Sequence, residues 1–366
     1  AREFATPRPK VSTIYMHADT VKFYNYKPVD KPELSDRFCR LPFTSMQIDT
    51  DGDVQLCSCQ YSMPYNIGNI YQNSLQDIWL SEIADKVRQS VIDSKFTYCS
   101  WDCSRLYNLP KKSNVTPKVQ QFPVELKIDL DKSCNLSCPS CREHVIIDKS
   151  SVRIQKQVEI YQEIKQWAID NPNILFNVSP CTSGEIFASH SGLKFLESLV
   201  DFPNKNLRLN ITTNGTLLNK NKNLILALKN VITNIGVSID AATPETYSVV
   251  RGGDWNELLR GLQLVKESVN VPINLKFVIQ QANFKEIVQF AEFAEQYNAR
   301  IYFSSLLNWG HWTIDWWDKK SVVKQSSPDL EIILNNIRDL KLRYPNKISV
   351  SADIIRLLQK ASESSQ

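Results

Sequence analysis

From residue 123 onward the apolar positions move back and forth between two periods. Short alternating runs predict strands over 124–130, 174–179, 207–212, 235–240, 273–279 and 300–304. Between them apolar residues recur every three or four positions. Ile154, Val158, Tyr161, Ile164 and Ala168 make one helical stripe; Phe284, Ile287, Val288, Ala291 and Ala294 make another. Thr243-Pro244 suits the N-cap and first position of a helix. Asn283 and Glu286 have the spacing of a capping box. Six strand–helix repeats predict an α/β fold whose parallel sheet curls into a partial (β/α)6 barrel over 123–310.

The strands also have sides. Leu126, Ile128 and Leu130 oppose Glu125, Lys127 and Asp129; Leu207, Leu209 and Ile211 oppose Arg208, Asn210 and Thr212. Val237 and Ile239 oppose Ser238 and Asp240, and Leu275 and Phe277 oppose Asn274 and Lys276. Strands covered on both faces read as continuous apolar runs, and a closed eight-stranded barrel fills its lumen with branched apolar side chains. Alternation therefore points to apolar residues under the helices and a polar lumen in an open barrel. The competing reading is a sheet face bare to solvent, which helices after nearly every strand argue against.

The chain before residue 123 is different. Residues 1–38 hold four prolines and little periodicity, and read as an extended arm. Residues 39–110 form a small cysteine-rich module. It has a hairpin over 46–56 turning at Asp51-Gly52, then a helical stripe of Leu75, Ile78, Trp79 and Ile83. Residues 111–122 read as a linker. After the barrel, Leu330, Ile333, Ile337 and Leu340 predict a helical C-terminal tail over 311–366.

At 366 residues and 42% hydrophobic, the chain has room for a sizeable core and two or three domains. A net charge of +4 without a dense Lys/Arg run argues against nucleic acid as a partner. No apolar run reaches the ~18 residues of a membrane span, and the first ten residues lack the apolar core of a secretory signal. The expected location is the cytoplasm. There, cysteines are metal ligands or catalytic groups more often than disulfides. Of the nine, at 39, 57, 59, 99, 103, 134, 138, 141 and 181, eight precede residue 142.

Cys134, Cys138 and Cys141 follow directly on the first barrel strand. Three thiolates within eight residues can each bind one iron of a [4Fe–4S] cube. With no fourth cysteine nearby, one iron stays open for chemistry. A zinc site completed by His144 is the alternative. The arrangement resembles the radical S-adenosylmethionine (SAM) superfamily over residues 123 to about 310. Ser183-Gly184-Glu185 after strand two is similar to that family's "GGE" motif, which binds the SAM amino group. Thr213-Asn214-Gly215 matches its "TNG" turn. Ser238-Ile239-Asp240-Ala241, Tyr247, Arg251-Gly252 and Asn283 resemble later segments. The family's aromatic residue before the third cysteine is replaced by Ser140, so the adenine contact must come from elsewhere. The resemblance implies a [4Fe–4S] cluster that binds SAM and a 5′-deoxyadenosyl radical that abstracts hydrogen from a substrate. It implies SAM contacts from Ser183, Gly184, Glu185, Thr213, Asn214, Ser238, Asp240 and Arg251, and a flavodoxin or ferredoxin as electron donor.

Cys39, Gly52 and Cys57, followed by Cys99 and Cys103, resemble the SPASM/twitch modules of such enzymes. That likeness implies one auxiliary [4Fe–4S] cluster on Cys39, Cys57, Cys99 and Cys103, with Cys59 able to replace Cys57; a structural zinc knot is the alternative. The module precedes the barrel here, whereas it follows the barrel in most relatives. Such enzymes often modify ribosomally made precursor peptides, the first expectation for the substrate. A sugar, aminocyclitol or other polar small molecule is the second, and a non-enzymatic electron carrier is a reading of a different class. Cys181, by continuation of the alternation, belongs on the lumen face as a hydrogen-atom donor or a small buried hydrophobe. Trp309, Trp312, Trp316 and Trp317 read as packing or a substrate platform.

Overall fold

The computed structural model describes residues 30–363 other than 32–33, 58–61, 102, 104, 107–108, 113–117, 181–182, 201, 203–205 and 309–311. Its organising element is one sheet of ten strands in the order β10-β9-β8-β7-β6-β5-β4-β1-β2-β3. The six barrel strands are β4 (Glu125–Ile128), β5 (Phe176–Pro180), β6 (Leu207–Thr213), β7 (Ile232–Ser238), β8 (Ile273–Ile279) and β9 (Arg300–Ser305), each parallel to the next. Their burial alternates as the sequence demands: Leu126, Val178, Leu209 and Leu275 are buried, and Lys127, Ser179, Asn210 and Lys276 on the other face are half-buried.

The sheet curls. Lys127 on β4 and Lys276 on β8 are four strands apart, ~19 Å in a flat sheet at ~4.8 Å per strand. Lys127 nevertheless lies within electrostatic reach of Lys276, as the curl of a partial barrel brings about. The helices 151–170, 190–197, 255–264 and 287–295 pack outside on the apolar faces, Tyr161 stacking on Phe195 and Phe277 meeting Phe290 at a tilt.

The N-terminal module is not a bead on a string. β1 (Ser45–Ile48) lies parallel to β4 in register Gln47↔Lys127, and antiparallel to β2 (Asp53–Gln55), which pairs with β3 (Gly68–Asn69). The hairpin turns at Gly52, φ +81°, where a Cβ would stand 2.6 Å from the Tyr71 ring. Ser45 and Gln47 continue the polar face of β4, donating to Glu125 (2.9 Å) and Asp129 (2.9 Å). On the apolar side one continuous core runs from Phe43 and Trp79 through the barrel to Ile354. Arg88, only 2% exposed, ties the module together: it donates to the Pro42 and Trp79 carbonyls and to Asp85, and stacks on the Trp79 ring.

Four expectations need correction. The stripe Leu75–Ile83 is two helices, Leu75–Trp79 and Glu82–Ile92, because Ser81 caps the second and leaves Ile83 41% exposed. The C-terminal tail is not all helical: β10 (Ile348–Val350) returns to pair parallel with β9. The capping box at Asn283 does not form. Asn283 instead donates to the Asp240 and Val278 carbonyls and accepts from Gln280 N–H, and Glu286 accepts from Ala242, Thr243 and Thr246. β7 begins and ends earlier than expected, since Asp240 takes a left-handed conformation, φ +60°. Thr243 does cap its helix, accepting from Thr246 N–H. Among the described residues no helix is long and apolar enough to cross a membrane.

Candidate functional site

The carboxyl ends of parallel strands are where open α/β sheets bind ligands, and there the cysteine loop begins. After β4, Asp131 Oδ1 accepts from Ser133 N–H (2.7 Å), and Cys134 N–H pairs with the Ile146 carbonyl (2.7 Å). The turn between the other two thiols is closed by Cys141 N–H donating to the Cys138 carbonyl (2.8 Å). Cys134 and Cys138 are buried and Cys141 half-buried, with Leu136 between them in a small apolar cluster of their own. Burial raises the Cys134 and Cys138 pKa values. Arg142 opposes that tendency at Cys134, and Arg251 at Cys138; Arg142 approaches the Cys141 sulfur at 3.4 Å through Nε and 3.5 Å through Nη2, and is braced on the Lys132 and Ser183 carbonyls. In the sequence Arg142 stands directly after Cys141, the one sign there of its role.

The loop after β5 crosses directly over this turn. A Cβ on Gly184 would meet the Ser133 carbonyl at 2.5 Å, so only glycine fits, and Glu185 N–H donates to the same carbonyl (2.7 Å). The Glu185 side chain is wholly buried and turned toward β6. Its oxygens accept from the Thr213 hydroxyl (2.8 and 2.9 Å), Asn214 N–H (2.6 Å) and Phe187 N–H (3.3 Å). Burial raises its pKa, against those donors. Asn214 in turn donates to Asn135 (2.9 Å) and to the Cys134 sulfur (3.8 Å). Thus Gly184, Glu185, Thr213 and Asn214 form one scaffold behind the cysteine loop, with the Ser183 carbonyl held by Arg142.

On the far side, Asp240 accepts from Arg251 Nη1 (3.0 Å) and from Val278 N–H (2.7 Å). Arg251 lies within electrostatic reach of Cys138 and Cys141. Among the described residues its Nε is buried with no partner, as is the hydroxyl of Tyr247, whose electrostatic neighbours include Cys138. Unpaired buried donors beside three thiols fit an anionic group that belongs between them. Ser238 ends β7 opposite Lys276. Cys181 lies outside the described residues.

In the N-terminal module Cys57, Cys99 and Cys103 are buried and Cys39 half-buried, all as free thiols. Burial first, then the neighbouring Cys39 and Cys103, pushes the Cys99 thiol up to about 12. Cys39, Cys99 and Cys103 lie within electrostatic reach of one another; Cys57 lies two residues past β2 in the same core, and Cys59 lies outside the described residues. In neither cysteine group do three His, Cys, Asp or Glu side chains among the described residues converge as around a single ion.

Residues 132–294 match the radical SAM superfamily model, and residues 39–104 match the iron–sulfur cluster-binding SPASM domain. The chain carries a radical SAM domain. Such a domain implies a [4Fe–4S] cluster with SAM, and the SPASM domain implies auxiliary iron–sulfur binding. Among curated proteins the radical SAM segment resembles GTP 3′,8-cyclases. That of Synechocystis sp. is 22% identical over 192 residues, 51% of this chain and 55% of that protein. That of Alkaliphilus metalliredigens is 27% identical over 169 residues, 45% and 51%. The chain thus spans about half the length of the curated relatives it matches. Among solved structures, Streptococcus suis SuiB bound to S-adenosylmethionine is similar at 19% identity and a TM-score of 0.44, over 63% of this chain and 50% of that one. SuiB bound to its precursor peptide SuiA is similar at 15% identity and a TM-score of 0.43, over 73% and 62%.

Proposed function

We propose that this chain is a radical SAM enzyme that abstracts a hydrogen atom from a polar substrate held in the lumen, a ribosomally made precursor peptide being the first choice. The observation that carries the reading is the convergence of three buried thiols with Arg142, Arg251 and the Glu185–Thr213–Asn214 scaffold at one end of a polar lumen. Cys134, Cys138 and Cys141 would hold the cluster, and Cys39, Cys57, Cys99 and Cys103 an auxiliary one. When bound with SAM, the cluster supplies the one-electron reductive cleavage that yields a 5′-deoxyadenosyl radical. Arg142 places positive charge against a cluster thiolate. Arg251, held by Asp240, presents its free Nε to the SAM carboxylate. Glu185 fixes the turn that carries Asn214 to the Cys134 sulfur. The lumen residues Ser179, Asn210, Thr212 and Lys276 seat the substrate by hydrogen bonds. The electron donor is a flavodoxin or ferredoxin.

A peptide suits the open sheet, whose edges β3 and β10 do not close on one another, and whose polar face β1 widens with Ser45 and Gln47. The similarity to GTP 3′,8-cyclases favours the second reading, a polar small molecule such as a sugar or nucleotide. The deciding experiment is anaerobic reconstitution followed by dithionite reduction with SAM. Formation of 5′-deoxyadenosine, lost when Cys134, Cys138 and Cys141 are replaced by Ala, is the expected result. Stoichiometric zinc without iron in anaerobically purified protein overturns it.

A further inference from the structure

Ser133, the residue before the first thiol of the cysteine loop, is 1% exposed and ties three segments together. Its N–H donates to Asp131, two residues back, and its carbonyl accepts from Glu185 N–H in the loop after β5. Its hydroxyl accepts from Asp148 N–H (2.9 Å). This third contact comes from a strap, residues 143–149, that leads from the cysteine loop to the helix 151–170. In the same strap the Ile146 carbonyl takes the Cys134 N–H in an antiparallel bridge. The strap thus closes the cysteine loop, its two hydrogen bonds landing on consecutive residues, Ser133 and Cys134.

Apolar packing does little to hold the strap there, since Val145 and Ile147 are 49% and 50% exposed. Asp148 holds it, with a side chain only 9% exposed. Its Oδ1 accepts from Ser150 N–H (2.9 Å), and its Oδ2 pairs with Arg153 Nη1 (2.8 Å) in the first turn of the helix. A carboxylate so covered needs its cation. Without Arg153 the side chain would turn to water and draw away the backbone N–H that Ser133 accepts.

We propose that Asp148 and Arg153 are positioning residues for the SAM-binding cluster: as a pair they fix the strap, and the strap fixes the backbone of Ser133 and Cys134 against the Glu185 loop. Their effect reaches the thiols through Ser133 and the Ile146 carbonyl. At metal sites such outer partners orient the ligands themselves. The pair rests on the reading of Cys134, Cys138 and Cys141 as cluster ligands, and adds the outer element that sets the loop that carries them.

The test uses the full chain with its clusters reconstituted anaerobically. Three quantities are read: iron content, the EPR spectrum of the dithionite-reduced protein with and without SAM, and SAM affinity by calorimetry on the oxidised protein. Arg153→Leu should load iron as wild type does. It should bind SAM about tenfold more weakly, the low end of what outer-shell losses cost at metal sites, and the SAM-induced change in its EPR spectrum should be broadened. Ser133→Ala, which removes the other side of the clamp, should alter the same signal. Arg153→Lys should restore most of the affinity. Lys156→Leu, which breaks the Lys156–Glu159 pair (3.7 Å) on the same helix, should change nothing. An unchanged spectrum and affinity in Arg153→Leu, or the same change in Lys156→Leu, overturns the proposal. So does a lower melting temperature without a spectral change, the mark of a purely structural pair. If Arg153→Leu does not fold, Asp148→Asn replaces it, keeping an oxygen for Ser150 and losing the charge. Absence of iron from wild type is scored separately, because it removes the cluster reading whatever the pair does.

Discussion

Arg142 holds its guanidinium against the Cys141 sulfur, 3.4 Å away, while two backbone carbonyls from separate loops keep it there. A fixed positive charge at a cluster ligand favours the reduced, more negative state. Arg142→Leu should therefore lower the reduction potential of the SAM-binding cluster. A charge-assisted hydrogen bond of ~1.5 kcal/mol corresponds to roughly 60 mV for a one-electron couple. An EPR-monitored redox titration of the reconstituted protein measures it, and Arg142→Lys should recover part of the shift. An unchanged potential would mean the arginine only braces the loops.

Glu185 is a scaffold residue as much as a ligand candidate. Its side-chain oxygens accept from Thr213 on β6, from Asn214 in the turn after it and from Phe187. Glu185→Gln puts an amide donor where the Thr213 hydroxyl and Asn214 N–H already donate. One unpaired buried group costs ~1–3 kcal/mol, so the cluster-free protein should melt several degrees lower by calorimetry. SAM affinity should fall by about tenfold as well, on the scale of 1.4 kcal/mol per decade. A normal melting temperature with weakened SAM binding would restrict Glu185 to ligand contact.

Lys276 makes stability rise with pH. Its folded pKa of about 8 lies below the ordinary 10.5. The folded chain thus disfavours the ammonium, with Lys127 and Arg251 repelling it and Asp129 and Asp240 only partly compensating. The penalty is fully present below pH 8 and fades as the pH climbs toward 10.5. Lys276→Met should raise the unfolding temperature at pH 7, and the gain should shrink across that window. Thermal melts of the two proteins between pH 6.5 and 10 check this; a constant difference would contradict it.

Replacing Cys39, Cys57, Cys99 and Cys103 together should remove about four irons, the content of one cube. The two cysteine groups lie in separate segments of the chain, one before residue 104 and one after β4, so 5′-deoxyadenosine should still form without substrate. Iron analysis and a product assay decide it. Loss of SAM cleavage from a folded variant would show that the two cysteine groups do not work separately.

The sequence was most informative where burial is one-sided. Ile273–Ile279 has the expected bounds to the residue, because strict alternation leaves no other strand register. Asp240 ended β7 early for a reason no periodicity carries: its carbonyl and carboxylate are claimed by Asn283, Val278 and Arg251. The same long-range claims undid the capping box at Asn283. β10 escaped notice since three residues, Ile348–Val350, are too few to show a period. The cysteine loop and the loops after β5 and β6 were legible from their motifs. Arg142 and Lys276 were not singled out, because one looked like any charged neighbour and the other like any polar strand position.

The pairing of Ser45–Ile48 with Glu125–Ile128 has a consequence for how this molecule can be taken apart. Cutting the chain in 111–122 would not release two proteins. The barrel half would be left with a bare β4 flank, an open template for aggregation, and the other half would lose the apolar floor it shares. Backbone hydrogen bonds also set the separation between the two cysteine groups, so electron traffic between their metals would run over a fixed gap. Whatever inheritance brought the pieces together, they now travel as one.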